Sequence, residues 1–332
     1  MAKLARSFSR LLWLGIAPGL AVSMAGAVGA HAVETVAAAP PCTLEPGPIH
    51  TVTRVLDGET VALDDGSEVR LIGALAPRAR DGDAAEGTWP PENEAIAALK
   101  ALVLGHTVKL TYGGQRSDRY GRSVAHLFAD KDGESVWVQG ELLKMGHARA
   151  YGLFDNFACA HELLEHEMLA RNAHLGLWGL SLYRPKPAAQ PRLLMHVRSQ
   201  FHIVAGRVRN VSRTKTAVYL NFGDDWKTDF TARIGKSVLS KNAEWAAKLE
   251  ALQGQEIAVR GWIERRNGPM IDVIDPAQIE LAWPPSTTAP DQPEAPAVDP
   301  ETTSVPEVGG QTAPPTSKQK RPEPKVPDAV NL

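Results

Sequence analysis

Two tight-turn signals set between three short alternating runs constrain this chain more than any other feature. His50 to Leu56 alternates apolar and polar residues and stops at Asp57-Gly58, Thr60 to Leu63 stops at Asp64-Asp65-Gly66, and Glu68 to Gly73 is a third apolar run. Alternation with a period of two puts one face of each run in a core, and Asp-Gly pairs close hairpins. Three neighbouring strands are therefore expected. Glu92 to Leu104 then places Ala95, Ile96, Leu99 and Leu102 or Val103 on one helical face and stops at Gly105. Thr107 to Tyr112 and Ser123 to Ala129 read as strands, Glu134 to Met145 and Ala158 to Ala173 as helices. Three strands, a helix, two strands and trailing helices is the order of a small closed barrel of OB type with a helical appendix.

At 332 residues the chain is longer than one such barrel needs. Three prolines in Arg184-Pro-Lys-Pro-Ala-Ala-Gln-Pro191 suit a stiff linker. Beyond it, Phe201 to Val211, Ala217 to Phe222 and Asp229 to Ile234 read as strands and Asn242 to Leu252 as an amphipathic helix. Glu256 to Ile263 and Met270 to Val273 form a last pair around Asn267-Gly268. The expected fold class is mainly β with helices: two OB-fold barrels, the first five-stranded with a helical appendix.

Lys3, Arg6 and Arg10 precede an uncharged run from Leu11 to Ala30, and Ala30-His31-Ala32 has the small-x-small form of a signal peptidase site. The run reads as an export signal, with a retained anchor as the alternative, and the mature chain is expected in the periplasm or secreted, off the lipid membrane. From Pro284 to Leu332 lie 12 of the 25 prolines among polar residues, too little apolar surface to offset the entropy of ordering. That tail reads as disordered, with a protein partner as its expected use. The expected organisation is a signal at 1–32, a linker at 33–47, a barrel at 48–182, a Pro-rich linker at 183–194, a second barrel at 195–282 and a tail at 283–332.

Net charge is −2, which excludes binding of nucleic acid by bulk cationic charge. Its distribution is uneven: residues 50–180 carry 13 basic and 19 acidic side chains, residues 192–285 carry 14 and 10. Arg192, Arg198, Arg207, Arg209, Arg213 and Lys215 fall in a stretch without an acid, near Tyr219, Phe222, Trp226 and Trp262. A basic groove with stacking aromatics would follow, with Arg207 and Arg209 contacting single-stranded DNA or RNA; core aromatics and a solvated charged face are the bland alternative. Two cysteines, Cys42 and Cys159, cannot build a four-thiolate zinc site, and in an exported chain they favour one disulfide. His161 and His166 are five apart on a helix, so they do not form an i, i+4 metal pair.

Val55-Leu-Asp-Gly-Glu-Thr60, Val69-Arg-Leu-Ile-Gly73, Ala76-Pro77, Ser117-Asp-Arg-Tyr-Gly-Arg122 and Gly176-Leu-Trp178, in that order, resemble the staphylococcal nuclease-like (thermonuclease) family. The resemblance covers about 48–180 and implies an OB barrel that hydrolyses DNA and RNA phosphodiesters with calcium. It assigns Arg70 and Arg122 to the phosphate and Glu59 to a calcium-carboxylate position, one methylene longer than the family's aspartate. Arg119, Tyr120 and Tyr151 fall in or near the nucleotide-binding positions. The match fails after the third strand, where Leu75 and Arg78 replace a calcium aspartate and the general-base glutamate; an arginine cannot accept a proton. Asp81, Asp83 and Glu86 are the nearby acids that could substitute.

Three functions follow in order. The first is an exported thermonuclease-like protein that binds phosphodiesters, nucleic acid or another anion with hydrolysis lost or impaired and no cofactor. The second is an active calcium-dependent endonuclease. The third is an envelope scaffold.

Overall fold

The computed structural model describes residues 42–152 and 156–281. The expected export signal, residues 33–41 of the first linker and the tail lie outside them. Among the described residues no helix is long and apolar enough to cross a membrane.

The barrel begins with β1 (Glu45–Asp57), β2 (Thr60–Leu63) and β3 (Glu68–Leu71). At the first turn Asp57 Oδ1 accepts the Glu59 amide at 2.8 Å, and at the second Asp65 Oδ1 accepts the Ser67 amide at 2.9 Å while Gly66 takes φ 81°. These are the conformations for which short polar side chains and glycine are suited. After β4 (Ala74–Leu75) and helix α1 (Pro90–Val103) come β5 (Thr107–Tyr112) and β6 (Ser123–Lys131). The ladder runs β3-β2-β1-β5-β6 and closes through a parallel β3–β6 pairing, Val69 opposite Ser123 and Leu71 opposite Ala125. One closed five-stranded barrel results, filled by Val52, Val61, Leu71, Leu99, Leu110 and Leu127 among others.

The run read as one helix from Glu134 splits into β7 (Glu134–Trp137), which extends the ladder beside β6, and α2 (Val138–Lys144). Phe128 and Trp137 are paired across that ladder, a contact that only a strand provides. The appendix continues through β8 (Arg149–Ala150), paired with β4, and α3 (Ala160–Asn172). A disulfide joins Cys42, just before β1, to Cys159 at the start of α3, with Cα atoms 4.9 Å apart.

The second barrel is not present. The proline-rich stretch enters the structure as β9 (Lys186–Pro187) and α4 (Pro191–His196), followed by β10 (Phe201–Arg207), β11 (Asn210–Arg213), β12 (Ala217–Asn221) and β13 (Thr231–Gly235). Helices α5 (Lys236–Lys241) and α6 (Ala243–Ala246) precede β14 (Glu256–Trp262), β15 (Glu264–Arg266), β16 (Gly268–Val273) and β17 (Ile279–Leu281). These strands form two open sheets, β17-β14-β10-β9 and β11-β12-β13-β16-β15, and no ladder joins them among the described residues. The reason lies at two corners that look continuous in sequence. The Val208 amide still bonds Gln255 O in the first sheet, whereas the next amide, Arg209, bonds Asn221 O in the second. At Ile263 the chain turns again, so β14 and β15 belong to different sheets. Val204, Ile257 and Val259 of one sheet and Leu220, Ile234 and Ile271 of the other fill one shared core. The long helix read over Asn242 to Leu252 is the four-residue α6 and a separate 3-10 turn at Leu249–Leu252.

Candidate nuclease-like site

Glu59 follows Asp57-Gly58 at the mouth of the barrel, and its side chain is 1 % exposed. Thr60 lies opposite Arg70 in the β2–β3 ladder, which brings the Arg70 guanidinium to Glu59, Nη2 to Oε1 at 3.4 Å. Glu59 Oε2 also accepts the Ala76 amide at 3.3 Å. The remaining partner is Arg78, whose Nη2 donates directly to Glu59 Oε1. Burial works against the Arg78 charge, but the Glu59 carboxylate more than offsets it and raises the guanidinium above its ordinary value. The Arg78 guanidinium, at the position the resemblance gives to the general base, thus pairs with the buried Glu59 carboxylate.

Leu75 is buried in a separate apolar cluster with Ile72, Val124, Tyr151 and Phe201. Tyr151, 5 % exposed, meets the ring of Phe201 at 6.3 Å and of Trp262 at 5.9 Å. Burial, then the Glu59 charge, pushes its hydroxyl upward. Residues from the second half of the chain therefore cover the positions that the resemblance assigns to a calcium aspartate and a stacking tyrosine. Calcium takes six to eight oxygens; here the Glu59 carboxylate is bonded to Arg70, Arg78 and the Ala76 amide.

Arg122 has a different carboxylate partner. Its Nε donates to Asp118 Oδ2 at 2.8 Å, and Asp118 Oδ1 accepts the Tyr120 and Arg122 amides at 2.9 and 3.1 Å. Burial alone would raise the Asp118 carboxyl, and the Arg122 guanidinium with these amides reverses that, leaving it lowered. Tyr120 is 69 % exposed, with the Arg119 and Arg122 guanidinium carbons 4.9 and 5.4 Å from its ring centre. Arg119, Tyr120 and Arg122 meet at the surface, and Glu59, Arg70 and Arg78 meet beside them, since Arg70 on β3 lies opposite Val124, two residues after Arg122.

The loop acids do not join Glu59. Asp81 Oδ2 accepts the Arg78 amide at 3.3 Å, Arg149 Nη2 at 3.3 Å and the Tyr183 hydroxyl at 3.2 Å, and Asp83 and Glu86 are exposed. Among the described residues the one cluster with metal-ligand spacing is His50, Asp64 and Asp65, at the other end of β2 from Glu59. In the second half, Arg207 pairs with Glu256 at 3.1 Å and Arg213 with Glu250 at 2.7 Å, while the exposed Arg209 has no carboxylate partner among the described residues. On α3, His166 packs edge-on against Trp137 at 5.6 Å, and Glu162 accepts the Cys42 amide at 2.7 Å.

Sequence reasoning missed the residues that fix the second half over this site. Glu167, fully buried on α3, accepts Arg260 through both oxygens, Nη2 to Oε1 at 2.8 Å and Nη1 to Oε2 at 3.1 Å. Arg171 and Glu280 complete the network, Nη2 to Oε2 at 2.8 Å. Arg149 Nη1 donates to the Phe201 carbonyl at 2.7 Å. One signal was available: Glu167 stands in the buried stripe Leu163, Glu167, Ala170 at helical spacing, where a carboxylate needs a partner.

Residues 68–179 match the family model described as staphylococcal nuclease homologue. The chain is 28 % identical over 132 residues to the thermonuclease of Staphylococcus hyicus, covering 39 % of this chain and 75 % of that protein. It is 27 % identical over 149 residues to an uncharacterized protein of Methanocaldococcus jannaschii, covering 39 % of this chain and 71 % of that one. With the closed five-stranded barrel, these matches establish a thermonuclease-like OB-fold domain in the first half of this chain, a distant homologue of the family.

Proposed function

We propose that this protein is an exported thermonuclease-like protein that binds nucleic acid with phosphodiester hydrolysis lost or impaired. The observation that carries the reading is the Arg78–Glu59 pair. A site that must hold a divalent cation and accept a proton from water instead presents a carboxylate closed off by two guanidiniums. Leu75, inside an apolar cluster, offers no oxygen. Binding is supported by the exposed Tyr120 with Arg119 and Arg122 beside it, since every base has a face that can stack and every phosphate a charge to pair.

The deciding experiment is hydrolysis of plasmid and single-stranded DNA by the purified protein, with calcium and with a chelator. No cleavage above that of an Arg70→Ala, Arg122→Ala variant is expected. Chelator-sensitive cleavage lost in that variant establishes the active calcium endonuclease instead. Export is tested by the N-terminal residue of the protein recovered from the periplasm, expected just after Ala32.

A further inference from the structure

The sheet β11-β12-β13-β16-β15 carries a groove of about 600 Å³ on its outer face, away from the barrel site. Its polar floor is internally connected: Thr231 Oγ1 donates to Asn221 Oδ1 at 3.2 Å, and Asn221 and Asn210 both donate to Ser212 Oγ, at 3.4 and 2.8 Å. One wall holds two arginines fixed by a shared carboxylate, Arg233 and Arg266 each 3.0 Å from Asp272. The rim holds Trp226, 57 % exposed, and Arg209, free of carboxylate partners among the described residues. The Lys227 ammonium lies 5.8 Å from the Trp226 ring centre, and the rest of that large indole is left in water beside amides and a cation, a surface suited to recognition.

We infer that this groove binds single-stranded nucleic acid, with one unpaired base stacked on Trp226 and an adjacent phosphate held by Arg209. The inference rests on the nucleic-acid reading above and names a site for it in the other half of the chain. An unpaired cation points to the ligand. Arg233 and Arg266 are paired with Asp272, and Arg266 also with Glu264, so Arg209, with Asp224 the one lining acid, is the lining guanidinium left to hold a phosphate. The amides of Asn210 and Asn267 offer both donors and acceptors, as base edges require. A duplex keeps its base faces stacked, so a lone exposed indole suits an unpaired base.

The test is fluorescence anisotropy of a labelled twelve-nucleotide oligothymidylate with the whole protein across a salt series. Trp226→Ala is expected to weaken binding about tenfold and Trp226→Phe to restore most of it, since stacking needs a ring. Arg209→Ala is expected to weaken binding about fivefold and to lower the slope of log K against log salt by about one. Unchanged binding in Trp226→Ala and Arg209→Ala, with loss in Tyr120→Ala or Arg122→Ala, overturns the groove and keeps the nucleic-acid reading. Absence of oligonucleotide binding by the unaltered protein at low salt overturns both. Tryptophan quenching by chitohexaose that vanishes in Trp226→Ala, without an oligonucleotide response, assigns the groove to a glycan and also overturns the inference.

Discussion

Arg260 and Glu167 lie 93 residues apart and form a two-pronged ion pair with neither side chain more than 3 % exposed. The same guanidinium donates to the Ala150 carbonyl at 2.8 Å and to Glu280. Such a pair ties the open sheets to the barrel: separating them would break both prongs and leave Arg260 with Glu280 alone and Glu167 with Arg171 alone. Its neighbour Arg149 acts likewise on Phe201, the residue that covers Tyr151 and Leu75. The contacts that seat the second half thus also bring Phe201 over Tyr151 and Leu75.

Arg260→Met is expected to lower unfolding stability by about 3–5 kcal/mol, since the buried Glu167 then lacks its main partner. Combining it with Glu167→Gln should recover part of that loss. Urea unfolding of the two variants and the unaltered protein checks the order.

Arg78→Ala is expected to cost about 1–3 kcal/mol, less than a fully buried pair because the Arg78 side chain is 36 % exposed and Arg70 still faces Glu59. Leu75→Asp with Arg78→Glu puts carboxylates at both altered positions. Calcium should then raise the melting temperature of that variant and leave the unaltered protein unmoved, as expected when a ligand binds only the folded state. Calorimetric scans with and without chelator compare them.

Reduction of the Cys42–Cys159 disulfide releases a loop spanning 117 residues. Chain entropy assigns such a closure about 4–5 kcal/mol as an upper figure. Cys42→Ser with Cys159→Ser should therefore melt well below the oxidised protein and match it under reducing conditions. Thiol titration of the unfolded, unreduced protein should find no free thiol.

Acid should weaken the protein in two stages. Burial holds His126 down at about 4 from 6.5, and burial with the Arg149 and Lys186 charges holds His202 at about 3. Between pH 6.5 and 4 the unfolded chain binds more protons than the folded one, so stability falls as pH falls, by about 3 kcal/mol from His126 alone. Burial raises the Glu280 carboxyl, yet Arg260 and Arg171 outweigh it and hold the group at about 2. Its contribution is present above pH 4.5 and is lost on the way to 2. Urea midpoints measured from pH 7 to 3 should fall throughout, and His126→Gln should flatten the upper stage.

The barrel was legible because its evidence is local. Alternation in His50 to Leu56 and Thr60 to Leu63, the Asp-Gly turns and the apolar face of α1 each depend on residues a few positions apart. The identities of Leu75 and Arg78, at positions the resemblance gives to carboxylates, were equally local. Elements whose form depends on a distant partner were not. Glu134–Trp137 is a strand because β6 is beside it, and Val208-Arg209 is a corner because its two amides bond to different sheets. In sequence each is only part of a longer apolar run.

By itself the sequence determined one barrel, the identity of the side chains at its mouth and the two cysteines available to tie it. Tertiary structure alone decided what those side chains meet. Arg78 turns onto Glu59, Arg122 turns onto Asp118, and Phe201 and Trp262 arrive over Tyr151. It also decided that the second set of strands remains two open sheets, one of which carries Trp226 and Arg209 beside a groove. The physical reason is that strand periodicity fixes which face a residue takes, whereas ion pairing, sheet closure and burial depend on which distant groups share that face.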